Sequence, residues 1–169
     1  WEAFNSTAYY NDTNNWGDHV LYIGKYLIKA ENWIRWANYI VKPGTRLIAD
    51  NAFDASDMVG ITIPESVDTI GEDAFANCKY LLNIVLLDGI TRINRDTFSY
   101  CESLESIVIP NGVTTIGGGA FSGCTSLTSL DLSSFDTSNV INMRNMFYAC
   151  YNLTSLDVSK FDTSKVTDM

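Results

Sequence analysis

Cys78, Cys101, Cys124 and Cys150 are the residues of this chain most suited to covalent or metal chemistry. A disulfide or a zinc centre needs thiols that converge, and close CxxC pairs are the usual sign of that. Here a nearly constant interval separates each cysteine from the next, and no two lie close in the chain. A single histidine, His19, rules out motifs that need two, and nothing resembling GxSxG, a P-loop or a dinucleotide fingerprint is present. Gly117, Gly118 and Gly119 read as part of a turn. The remaining chemistry lies in two carboxylate pairs, Asp131 with Asp157 and Asp136 with Asp162, and in the aromatic residues that crowd the N-terminal third.

The cysteine interval is a period, and it shows which elements must position these groups. Phe75, Phe98, Phe121 and Phe147 each stand one short step before a cysteine, in the pattern FxxC. The stretch before each Phe also recurs, as IADNAF, IGEDAF, INRDTF and IGGGAF. After the cysteine position come a large apolar residue, an alternating apolar pair and often a proline, as in Leu104, Ile107, Ile109 and Pro110, or Met58, Ile61, Ile63 and Pro64. The LxxIxI alternation marks a short strand, and the proline that follows can end one but not sit within it. Each unit thus predicts a strand, a turn, a second extended piece ending in Ala-Phe, and a further turn. One such coil cannot bury its apolar residues; stacked coils can, at the ordinary strand spacing of about 4.8 Å.

From Cys124 a longer, 26-residue unit takes over, and the stretch beginning at Cys124 is identical to the one beginning at Cys150 at most of the comparable positions. Upstream, VKPGTRLIADNAF aligns with IPNGVTTIGGGAF, placing Trp36, Tyr39 and Val41 at core positions of a degenerate unit. Val20 to Ala30 has strand composition with Gly24 as a bend, and Ala3-Phe4 resembles the end of another unit. Both ends fall mid-unit, so the segment reads as a piece of a longer array. The expected organisation is one continuous right-handed, β-rich solenoid of short parallel strands. Within it 1–45 is a degenerate, interrupted segment, 46–123 carries the shorter units, roughly 23-residue in period, and 124–169 carries the 26-residue units.

The pattern IGxxAFxxCxxLxxIxIPxxV resembles the BspA-like leucine-rich repeats of bacterial surface proteins. LDLSSFDTSNVINMRNMFYAC is similar to a 26-residue repeat of the same surface-protein group, and TAYYNDTNNWGDHVLYIGKYLIKA to an interruption between repeats in gut-bacterial members. The resemblance covers essentially the whole chain. It implies a leucine-rich repeat superhelix in a secreted or cell-wall-displayed protein, with a host or bacterial protein or an extracellular-matrix component as partner.

Of the 169 residues, 46% are hydrophobic, and 20 acidic residues face 11 basic ones for a net charge of -9. That suits a folded domain and disfavours nucleic acid or an anionic membrane, which need clustered Lys and Arg. No apolar run approaches the roughly 18 residues of a membrane helix.

These features select no enzyme, cofactor or metal. The cysteines are expected as a buried row of unbridged thiols beside the Phe row, because stacked parallel side chains hold Cβ atoms farther apart than a disulfide prefers. A ladder also presents its ligands in line rather than around a point. Asp136 and Asp162, in FDTS, suit Asx-turns, with calcium as the alternative. Asp131 and Asp157 point outward with fewer local donors.

If the Ile residues of xIxI face the core, the residues between them form an exposed sheet face. Thr62, Val85, Val108, Asp131 and Asp157 make one file, with Asn83, Ser106, Ser129 and Ser155 beside it. This face is the candidate site for a protein partner, apolar at one end and acidic at the other. Strand propensity alone also accounts for its valines. A carbohydrate stacked on Trp16, Trp33 and Trp36 is one alternative, and solvent exposure of those rings distinguishes the two; a spacer region of a larger surface enzyme is the other. His19 is expected at the surface.

Overall fold

In the computed structural model, residues 4, 6–33, 35, 37–132, 135, 137–138 and 140–169 are described. The alternating apolar pairs form one column of parallel strands, β4 (Tyr39–Ile40), β6 (Gly60–Ile63) and β8 (Asn83–Leu86). Tyr39 pairs with Ile61 and Ile61 with Ile84, so each coil lies one repeat along from its neighbour. The pieces before Ala-Phe form a second column. It contains β3 (Tyr26–Ala30), β5 (Leu47–Ile48) and β7 (Thr69–Ile70), then the parallel pair β9 (Arg92–Ile93) and β10 (Thr115–Ile116). The fold is a β-solenoid with parallel strands, as the period predicts.

At the first end of the second column the chain doubles back. β1 (Trp16–Gly17) and β2 (Val20–Ile23) add to β3 in antiparallel fashion, with Gly24 at φ 59 opening the turn between β2 and β3. Phe4 is exposed rather than buried in a unit of the solenoid, so the described Phe column starts at Phe53. The reason is local: Thr7 turns the chain at Phe4 by bonding its carbonyl through both backbone and hydroxyl.

The core is a set of ladders running through the coils. Phe53, Phe75, Phe98 and Phe121 are fully buried, and Phe147 packs partly buried against them. Successive rings stack with centroids 5.1, 5.6, 5.6 and 6.1 Å apart. Burying a Phe side chain is worth about 2–3 kcal/mol, and offset ring pairs add to that. The turn beside the rings carries its own ladder. Phe75 N–H donates to Thr97 O at 2.9 Å, Phe98 N–H to Ala120 O at 2.9 Å and Phe121 N–H to Met146 O at 3.1 Å. The last step absorbs the longer unit without breaking the row.

Each turn is shaped by two left-handed residues. Asn51, Asp73, Asp96, Gly119 and Asn145 occupy one position and Ala55, Asn77, Tyr100, Gly123 and Ala149 the other, with φ between 51 and 73 throughout. This conformation lets the backbone reverse tightly beside the Phe, and it favours Gly, Asn and Asp. The turn after the first strand closes by a separate bond: Val67 N–H donates to Pro64 O and Val113 N–H to Pro110 O, both at 3.0 Å.

Candidate strand-face binding site

The first column positions the site because its residues alternate in and out. Along β8, Asn83 and Val85 are exposed while Ile84 and Leu86 are buried. Thr62 lies in register with Val85 and is half-buried. Past β8 the regular strand ladder is not resumed, yet the alternation persists: Ile107 and Ile109 are buried and Val108 is 79% exposed. Thr128 N–H donates to Glu105 O at 3.1 Å, holding the following coil in phase. A parallel bridge joins Ser129 to Ser155, and two residues beyond it in each coil stand Asp131 and Asp157, both exposed. The structure therefore brings the named file together on one face.

Beside it lie Asn83, Ser106, Ser129 and Ser155, all exposed. The position opposite Asn83 in the preceding coil is Gly60, where a Cβ would fall 2.8 Å from Ala37 O. This second file thus begins at Asn83 for a steric reason.

Two residues extend the apolar end beyond the sequence expectation. Ile40 pairs with Thr62 and is 63% exposed, and Leu87, on the face of Val85, is also exposed. The signal for Ile40 was in the sequence, since Tyr39 and Val41 flank it at inward positions and the alternation sends it outward. Both flanking side chains are buried.

The acidic end differs from expectation in one respect. Asp157 is not short of local donors: its Oδ1 accepts from Ser159 N–H at 2.9 Å. Hydrogen bonds from Ser159 hold its carboxyl below the usual carboxylate range. The donor exists because the chain turns right after Asp157, whereas a continuing strand would carry that N–H away. Asp162 makes the expected turn, accepting from Ser164 N–H at 2.9 Å, with its carboxyl likewise held low by Ser164. Asp136 lies outside the described residues. Among the described residues no group of three or more His, Cys, Asp and Glu side chains is disposed to hold a metal ion.

The cysteines are unbridged; Cys78, Cys101 and Cys124 are buried and Cys150 is half-buried. Of the tryptophans, Trp33 is 63% exposed, Trp16 is half-buried, and Trp36 lies outside the described residues. His19 is at the surface, with Nδ1 2.5 Å from Glu31 Oε2. No helix of the described residues is long and apolar enough to cross a membrane.

The repeat geometry has close counterparts. The family profile described as a BspA type leucine rich repeat region matches residues 46–168 in six copies. Among solved structures, a leucine rich cell surface protein from Faecalibacterium prausnitzii superposes with a TM-score of 0.77 at 31% identity, over 86% of this chain. A leucine rich repeat protein from T. pallidum gives 0.57 at 27% identity, over 76% of this chain and 71% of its own. The pneumococcal vaccine antigen PcpA, at 24% identity and a TM-score of 0.51, covers 68% of this chain and 30% of its own length, and shares the fold. The chain spans 40% of the length of the Faecalibacterium protein. No curated protein sequence matches it.

Proposed function

The chain belongs to the BspA-type leucine-rich repeat family, and from that membership we propose that it is a non-catalytic binding segment of a secreted or cell-surface protein, docking a protein partner on its strand face. The observation that carries this reading is the exposed apolar file of Ile40, Val85 and Val108 on a backbone held by parallel pairing and a stacked core. These exposed β-branched side chains share one file, with the half-buried Thr62 standing between Ile40 and Val85, and such a strand face is the kind of surface on which repeat proteins commonly bind. Asp131 and Asp157 at the far end add an acidic patch, so the fitting partner segment is apolar at one end and basic at the other. A surface location is supported by the Faecalibacterium relative, described as a cell surface protein. We read 1–45 as an interrupted unit continuous with the solenoid, 46–123 as the shorter units, and the last two coils as the 26-residue surface-protein repeat.

The test is binding to a panel of purified host, bacterial and extracellular-matrix proteins. On the partner found, Val108→Lys weakens binding about tenfold, since it places a charge on the most exposed residue of the apolar file. The Asp131→Ser/Asp157→Ser pair weakens it less and reduces its salt dependence. A control variant in the exposed turn ahead of β8, Lys79→Ser, lies outside the file and binds as the parent does. Equal binding by all of these proteins removes the strand face as the site.

A further inference from the structure

A cleft of about 720 Å³ opens on the first hairpin, at the opposite strand column from the apolar file. Its aromatic walls are Tyr10, Trp16 and Trp33. We propose that this cleft binds a neutral saccharide, with the exposed indole of Trp33 as the stacking platform.

The segment that shapes the cleft has no other evident task. The α-helix Ala8–Asn11 and the single 3-10 turn Thr13–Asn15 bury none of their residues, so they add nothing to the core. They are nevertheless ordered by their own bonds: Thr7 caps the helix at Tyr10 N–H, and Asp12 accepts from Asn14 N–H. Asn15 ties back to Tyr9 O. The indole N–H of Trp16 donates to Tyr10 O at 2.8 Å, and the two rings meet edge to face at 5.3 Å. Trp16 is therefore fixed with its N–H spent.

Trp33 is braced on the other side. His19 meets its ring edge to face at 5.3 Å, and Glu31 holds His19 in turn. Asp18 and His19 form the turn between β1 and β2, both at positive φ, 50 and 62. A turn with two left-handed residues favours Asn-Gly. The hairpin alone would be better served by glycine at position 19, and the imidazole that stands there supports the exposed indole.

The polar lining selects the ligand class. Asn11 and Asn32 each offer a donor and an acceptor, which suits hydroxyl groups. Asp18 and Glu31 oppose an anionic ligand such as phosphate or an acidic sugar. Lys29, in the same wall, donates through its ammonium to Asn51 O at 2.6 Å and offsets one of the two carboxylates, so the lining carries little net charge to draw a cationic one. What remains is an uncharged ligand with one apolar face and a hydroxylated rim, the description of a pyranose. The volume falls within the usual range of small-molecule sites, about 300–1,000 Å³.

Tryptophan fluorescence and calorimetric titration with a panel of neutral oligosaccharides (cellobiose, maltotriose, lactose, laminaribiose, chitobiose and mannobiose), alongside sialyllactose, choline and a hydrophobic-basic peptide, test this. The expected result is saturable binding of at least one neutral sugar with a change in tryptophan emission. Trp33→Ala weakens it about tenfold or more at unchanged melting temperature, and Trp33→Tyr recovers part of the loss. Val108→Lys leaves it unchanged, which separates this cleft from the strand-face reading. Binding of no neutral sugar in the panel, of sialyllactose, choline or peptide alone, or full affinity in Trp33→Ala overturns the proposal.

Discussion

The thiol of Cys101 donates to the carbonyl oxygen of Phe75 at 3.2 Å, so a side chain in one coil closes on the backbone of the coil before it. Cys78 does the same to Phe53 at 3.1 Å, Cys124 to Phe98 at 3.2 Å and Cys150 to Phe121 at 3.1 Å. Each thiol is aimed at a carbonyl rather than at the next sulfur, which joins the Phe and Cys columns into one device and explains why the cysteines remain free.

Reactivity follows from that placement. Burial pushes the Cys78 and Cys124 thiols up to about 12 and Cys101 well above its ordinary value, while Cys150, half-buried, is raised by burial as well. Thiolates are the reactive form. Alkylation of the native protein at pH 8, mapped by mass spectrometry, is expected to mark Cys150 first and to reach the other three only on unfolding. Modification of Cys101 at the rate of Cys150 would contradict the buried row.

The same thiols set an alkaline limit. Their native pKa values lie above the unfolded one near 8.5, so the native state keeps protons that the unfolded chain releases. Their contribution is fully present below about pH 8.5 and is lost as pH rises toward 12. Burial raises Tyr39 too, in the same direction, whereas burial lowers Lys29 and opposes the trend. Melting temperature measured from pH 8 to 11 should fall steadily, and less steeply in Cys101→Ala after allowance for its lower starting stability. A flat profile in the parent would refute this.

Phe98 lies between Phe75 and Phe121, 5.6 Å from each. Truncation to Ala is expected to cost about 3–5 kcal/mol, the usual range for a core aromatic, and to loosen both neighbouring coils. Denaturant unfolding together with hydrogen exchange measures both effects. A loss no greater than that of Ser106→Ala, on the exposed face, would show that the ring column does not carry the fold.

The left-handed turn positions allow a paired test of opposite sign. Ala149 sits at φ 57, so Ala149→Gly relieves strain and should stabilise by up to about 1 kcal/mol, after the entropy cost of glycine in the unfolded chain. Gly123 occupies the same position one coil earlier at φ 73, where a Cβ would fall 2.6 Å from the Tyr100 ring. Gly123→Ala should therefore destabilise by about 1–3 kcal/mol. Thermal melts that move in the same direction for both variants would exclude this account.

The division between sequence and structure follows the repeat itself. A residue that recurs at a fixed interval must meet the same surroundings in each coil. That interval alone places the Phe and Cys columns, the inward Ile pairs and the outward positions from Val85 to Asp157, with Thr62 at the same position but half-buried. The same alternation reaches Ile40, although the degenerate unit around it hides the pattern. Periodicity fails where a group's partner depends on how the local chain turns: Asp157 gains the Ser159 amide only because the backbone bends there. It fails altogether in the hairpin, which has no second copy to compare. Trp16 and Trp33 stand far apart in the chain, and they line one cleft only because β2 folds back on β3 with a register shift at Leu21/Tyr22. The hairpin itself is local, closed at Gly24, but its register shift and the approach of Trp33 to the turn at His19 are set by how the chain packs there, and no repeated spacing in the sequence encodes them.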